Sequence, residues 1–229
     1  MRTLYLDCSM GAAGDMLTAA LLELVDDREG FVKRLNALGI PGVVFEAEQA
    51  VKCGITGTHM RVTVNGEEEE SLDHLHEHTH DHEHEDGHVH SHEREHQHDH
   101  DHDHPHHHSG MHDIEHIVRG HMALPQKVQD DVMAVYALIA EAESHAHGAP
   151  VEQIHFHEVG TLDAVADITA VCLLMNELAP DEVVVSPVHV GSGQVHCAHG
   201  ILPVPAPATA YILRDAPIYG GEIRGELCT

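Results

Sequence analysis

The sequence contains no tryptophan, and three Phe and four Tyr are its only large aromatics. That scarcity removes the stacking platforms on which single-stranded nucleic acids are usually held. Only 11 Lys and Arg stand against 39 Asp and Glu, so no basic patch exists to hold a phosphate backbone, and nucleic acid is excluded as a partner. The five cysteines (Cys8, Cys53, Cys172, Cys197, Cys228) are odd in number, scattered and never spaced as CxxC. Neither a disulfide framework nor a thiolate zinc knuckle is expected from them. No apolar run approaches transmembrane length, and the opening MRTLYLDCSMG lacks the apolar stretch of a signal peptide. The expectation is a protein of a reducing, cytoplasmic compartment with no membrane partner.

Histidine is what the chain has in excess. Of 28 histidines, 17 lie between residues 74 and 108, interleaved with Asp and Glu and ending in DHDHDHPHHH. Residues 67–108 carry fifteen acidic side chains and one Arg, so half of the net charge of −28 sits there. A tract without apolar periodicity cannot bury enough surface to offset its ordering entropy, so 67–109 is expected to be a disordered insertion. Imidazole suits nickel, copper and zinc, and the carboxylates add attraction without fixing a geometry. His100, His102, His104, His106, His107 and His108 are therefore expected to act as weak, interchangeable reservoir sites. Proton competition weakens them as pH falls through the imidazole pKa of roughly 6.5. The bland alternative is a solvated acidic linker.

Helix and strand signals continue on both sides of the tract. Residues 1–66 are expected to form an N-terminal α/β segment and 110–229 a C-terminal segment of the same domain. The class is α/β or α+β, with a mixed sheet. TLYLD (3–7) predicts a buried strand, CSMGAAG a turn, and DMLTAALLELV a helix. Residues 43–64 predict a β-hairpin turning at Gly54–Gly57. Pro125 opens a helix to His147, with Val128, Val132, Val135, Tyr136 and Ile139 on one face and Gly148 as its stop. QIHFHEVG predicts a strand and turn, Leu162–Leu178 an apolar helix. Residues 183–190 and those after GSG predict strands, PAPATAYIL a helix, and the tail 216–229 one more strand.

Three stretches carry chemistry. In IHFHEVG, His155 and His157 share one face of a strand and so can chelate one ion, with Glu158 at the following turn. Asp163 and Asp167 share a helix face with Ala170, Val171 and Leu174, which turns both carboxylates toward the interior or a cleft. There they either hold a cation or act as acid and base, or else Thr161–Asp163 cap the helix and Asp167 is salt-bridged. In HVGSGQVHCAHG, His196, Cys197 and His199 cluster after a glycine turn, as borderline-soft metals accept, or they simply end a strand. In DCSMGAAGDM a strand, a small-residue turn and a helix start can receive a ligand through backbone N–H groups. Asp7, Ser9, Gly11, Gly14 and Asp15 are the candidates there. Since Asp7 and Asp15 oppose a bare phosphate, a cation-bridged phosphate or polar ligand suits the turn better, and Asp15 as a plain helix cap is the alternative.

In order, DCSMGAAGDM, HFHEVG followed by DAVADI, and GSGxVxxxHGxLPVPAPAT resemble the nickel-insertion proteins of the lactate racemase system, the LarC family. The resemblance covers nearly the whole chain. It implies a nickel chelatase of the lyase class acting on pyridinium-3,5-bisthiocarboxylic acid mononucleotide. The implied product is a nickel-pincer nucleotide cofactor in which two sulfurs and a ring carbon hold the metal, with lactate racemase as its acceptor. A CTP-dependent step assisted by Mn²⁺ or Mg²⁺ is also implied. Members of the family continue past GEL-x-T into a TPTG block and a further domain, whereas this sequence stops at Glu226-Leu227-Cys228-Thr229. The CTP site is therefore expected on a C-terminal companion polypeptide. Against the chelatase stands a non-enzymatic nickel storage or delivery protein working through its histidine tract.

Overall fold

The computed structural model describes residues 1–68, 110–156, 159–197 and 199–228. Its class is α/β or α+β, as the alternation of helix and strand patterns predicts, but among the described residues the strands are distributed over five two-stranded ladders. β1 (Thr3–Leu6) pairs in parallel with β4 (Glu182–Val185). α1 (Gly14–Leu22) and α2 (Arg28–Asn36) follow β1 in sequence. The helix at Arg28–Asn36 is not among those expected from sequence, although a local signal exists: the Asp27 side chain accepts from Gly30 N at 2.9 Å and caps it.

β2 (Val43–Lys52) and β3 (Ile55–Val64) form the hairpin in register Val43↔Val64 to Lys52↔Ile55. Its turn is Cys53–Gly54, not Gly54–Gly57. Both turn residues have positive φ, 52° and 79°, the two-residue geometry that matches strand twist, and Gly57 lies within β3. Glu67 and Glu68, assigned to the insertion from sequence, instead extend the hairpin. Glu67 bridges Val64, and Glu68 lies 3.5 Å from Arg61. Residues 69–109, where the reservoir histidines fall, lie outside the described residues.

α3 (Met111–Gly120) precedes α4 (Gln126–His147), which Pro125 opens and Gly148 closes at φ 63°. Val128, Val132, Tyr136 and Ala140 are its buried stripe, an unbroken i, i+4 row. Val135, expected on that face, sits one position off the row and is exposed. The strand expected at QIHFHEVG does not form among the described residues. Pro150 leads a 3₁₀ turn at Val151–Gln153, and two large side chains then anchor the segment, with Phe156 in a single β-bridge. Ile154 and Phe156 are buried, and Phe156 packs 5.7 Å from the Tyr136 ring. Gly160 is pressed so closely on Phe156 that a Cβ there would lie 2.7 Å from the Phe156 Cβ.

α5 (Leu162–Leu178) is capped by the Thr161 hydroxyl, which accepts from Ala164 N at 3.3 Å. Pro187 interrupts the expected strand 183–190, leaving β4 and then β5 (Val188–His189). β6 (Gly191–Ser192), β7 (Gln194–Cys197), β8 (Gly200–Pro203), α6 (Pro207–Ile212), β9 (Ile218–Tyr219) and β10 (Gly225–Glu226) complete the order. The main core joins residues from both sides of the tract, with Phe31, Leu35, Phe45 and Met60 packed in one cluster with Ile114, Val128, Tyr136, Phe156 and Leu174. Each such side chain contributes about 1.5–3 kcal/mol through burial. A smaller cluster of Cys8, Val188 and Val190, with Leu6, Ala12, Leu213 and Cys228, lies beneath the turn that follows β1.

Candidate functional site

Four segments meet at that turn. Asp7 accepts from Ser9 N at 3.0 Å, and the Ser9 hydroxyl first, then its N–H, hold the Asp7 carboxyl below the usual carboxylate value. Cys8 N donates to Ser186 Oγ at 2.9 Å, while Cys8 O accepts from Gly11 N at 3.1 Å and from His189 N at 3.0 Å. Ala12 N donates to Leu227 O at 2.8 Å, so the tail straps the turn. Gly11 (φ +88°) is required by that strap: a Cβ there would lie 1.9 Å from Leu227 O. Gly14 permits a second close approach, since its Cβ would meet Cβ and Oδ2 of Asp167 at 2.5 Å.

His189 is the buried polar side chain of this junction, 6% exposed. Its Nδ1 lies 3.1 Å from Ser9 O, a carbonyl that can only accept, so Nδ1 carries a proton and donates. The ring stacks on Tyr219, with centroids 4.7 Å apart and planes 4° from parallel. Nε2 is buried without a hydrogen-bond partner and points at Gly221, where a Cβ would stand 2.5 Å away. His189 carries no role in the sequence patterns above. No local spacing marks it, because residues 9, 219 and 221 create its environment.

The expected phosphate cradle is largely closed from within. The N–H groups of Ser9, Gly11 and Ala12 are all engaged inside the protein, and Asp15 Oδ1 accepts from Met16 N at 2.7 Å. The N–H groups of Gly14 and Asp15 precede the first i→i−4 bond of α1, Leu17 N to Ala13 O. Asp15 also borders a recess of about 360 Å³ shared with Met16, Ala19, Thr58 and His59.

Asp163 and Asp167 are both half-buried on α5. Asp163 lies in the first helical turn, and Asp167 faces the start of α1. Burial, and secondarily the Asp167 charge, raise the Tyr136 pKa, so its hydroxyl stays protonated and donates to Val159 O at 3.2 Å. His155 is exposed, on the opposite side of the chain from Ile154 and Phe156. His157 and Glu158 lie outside the described residues. His196 and Cys197 point to opposite faces of β7; His196 is exposed and Cys197 Sγ donates to Gly200 O at 3.4 Å. His199, at the β7–β8 turn, comes instead to His147 at the end of α4, with ring centroids 4.8 Å apart. Among the described residues, no three His, Cys, Asp or Glu side chains converge in a geometry that could hold a metal ion.

The family model described as "Nickel insertion protein" matches residues 4–229. The chain belongs to the nickel insertion protein family. It is 36% identical over its whole length to the pyridinium-3,5-bisthiocarboxylic acid mononucleotide nickel insertion protein of Clostridium kluyveri, covering 51% of that protein. The proteins of the same description from Clostridium acetobutylicum and Desulfitobacterium hafniense are 42% and 35% identical, again over the whole chain, which covers 53% and 47% of them. The chain thus spans about half the length of the curated relatives it matches. No solved structure matches it. No helix among the described residues is long and apolar enough to cross a membrane.

Proposed function

We propose that this chain inserts nickel into pyridinium-3,5-bisthiocarboxylic acid mononucleotide, as a cytoplasmic chelatase of the lyase class that works with a C-terminal companion polypeptide and CTP. The product is the nickel-pincer nucleotide cofactor, delivered to lactate racemase. The family match over residues 4–229, with relatives whose descriptions carry that substrate, is the observation on which the reading rests.

Nickel is a substrate here, so it must be held by ligands that let go. Imidazole and carboxylate do so, whereas a closed thiolate cage does not. His155, His157, His196, Cys197 and His199 are the proposed exchangeable ligands. Glu158 and Asp163 are the proposed acid–base pair for the ring proton lost when nickel bonds to carbon. Asp7, Ser9, Gly11, Gly14 and Asp15 form the proposed wall for the mononucleotide, where the Gly14 and Asp15 N–H groups precede the first intrahelical bond of α1 and the carboxylates favour a cation-bridged phosphate. The same turn does not fit a nucleoside triphosphate with its Mn²⁺ or Mg²⁺, because Ser9, Gly11 and Ala12 N–H groups are already engaged. CTP is therefore assigned to the companion polypeptide, and no step of this chain runs through it.

The test is conversion of the mononucleotide to its nickel form by this chain with its companion, CTP and Mn²⁺. The pair His155→Ala with His157→Ala is expected to abolish conversion. Normal conversion by that double variant overturns the ligand assignment, and conversion without this chain overturns the function.

A further inference from the structure

The end of α4, the β7–β8 turn and α6 form one corner of the fold. Tyr211 of α6 locks it: its ring meets His145 edge-on at 4.5 Å, and its hydroxyl donates to Glu141 Oε1 at 2.8 Å. β8 leads directly into α6, so docking α6 on α4 returns the β7–β8 turn to the end of α4. That return places His199 beside His147, two imidazoles from elements far apart in sequence. Behind His147 stands Glu143, one helical turn earlier, with Oε2 3.3 Å from His147 Nε2. A neutral His147 donating from Nε2 to Glu143 keeps its lone pair on Nδ1. This carboxylate–imidazole arrangement orients metal-binding histidines and raises their basicity.

The spacing suits one ion. With nitrogen–metal bonds of about 2.1 Å, two imidazoles in adjacent coordination positions have centroids roughly 4.5 Å apart. The observed separation is 4.8 Å, with the ring planes inclined by 51°. Both histidines are solvent-accessible, His147 to 40%. We propose that His147 and His199, with Glu143 oriented behind His147, form a two-imidazole site for a divalent transition metal, nickel in the reading above. Two protein ligands leave the remaining positions to water, so the ion exchanges readily. The site thus suits a point of entry, lying outside the histidine tract, rather than a store. The proposal rests on the nickel reading only for the identity of the metal.

The test uses the full chain with imidazole resonances observed by NMR during titration with Ni²⁺ alone, His147 and His199 signals being assigned from His147→Ala and His199→Ala. Both signals are expected to respond with a common midpoint. The His199 midpoint should move at least tenfold higher in His147→Ala, and severalfold higher in Glu143→Gln. His112→Ala, in α3, should leave it in place. A His199 midpoint unchanged by His147→Ala, or no response from either ring, overturns the site. The metal-free melting temperature of each variant reports whether folding is intact, and Glu143→Gln retains both rings should one alanine variant fail to fold. Intact coupling together with no cofactor formation in the complete system overturns the proposed function and leaves the metal site standing.

Discussion

His189 Nδ1 lies 3.1 Å from the carbonyl oxygen of Ser9, and this contact decides the chemistry of the whole ring. It fixes a proton on Nδ1 and turns Nε2 toward Gly221, where a Cβ would stand 2.5 Å away. Gly221→Ala is therefore expected to destabilise the protein by about 1–3 kcal/mol, as overpacking does. In a His189→Ala background the added methyl meets no ring and should cost less than about 0.5 kcal/mol. Denaturant unfolding of the four proteins in this cycle measures the coupling, and additive costs would show that the two residues are independent.

The strap over the turn depends on Gly11. Gly11→Ala forces a side chain into a φ of +88° and onto Leu227 O, so residues 225–228 should lift away. The half-buried Cys228 thiol, its pKa raised by burial, should then react with a neutral maleimide at least tenfold faster. The exposed Cys53 is the internal control and should not change. Equal Cys228 rates in the two proteins would mean that the strap holds without Gly11.

Asp7 makes a pH prediction. Its pKa is lower folded than unfolded, so its contribution to stability is present above the unfolded value of about 3.9 and disappears as pH falls through the lower folded value. Asp7→Asn should accordingly lower the melting temperature at pH 6 and converge with wild type below about pH 3. Ser9→Ala removes the hydroxyl that contributes most to the shift and should raise the Asp7 pKa toward the ordinary value. Carboxylate chemical shifts during an acid titration check both.

Deleting residues 72–108 separates reservoir from site. Cofactor formation by the complete system should persist at saturating nickel and fall severalfold when nickel is scarce. Loss of activity at every nickel concentration would favour the storage and delivery reading instead. The measurement is initial rate against free nickel for the two chains.

Periodicity located most elements because their own side chains determine them. The i, i+4 row of Val128, Val132 and Tyr136 made α4 legible, and Pro125 and Gly148 marked its ends. The hairpin was legible too, yet its turn was misplaced because two glycines competed and the sequence carries no direct mark of positive φ at Cys53. IHFHEVG alternates as a strand does, but alternation only says which side chains turn inward. Ile154 and Phe156 turn inward, and among the described residues no named strand forms there. The turn of residues 7–15 was recognisable as a place for a ligand, whereas its internal saturation by Ser186, His189 and Leu227 depends on chain crossings that no local pattern records. The environments of His147 and His189 are likewise set by chain crossings, to His199 and to Ser9.

The hydrogen bond from Ala12 to Leu227 also sets an order of events. A chain emerging from the ribosome can form α1 and the hairpin early, but β1 waits for β4 and the first turn stays unclasped until residues 225–228 arrive. Until then His189 lacks the cover of Gly221, and Cys8 and Cys228 have not yet met. The junction is thus a late-closing latch, and it matures only after nearly all of the described chain has been made.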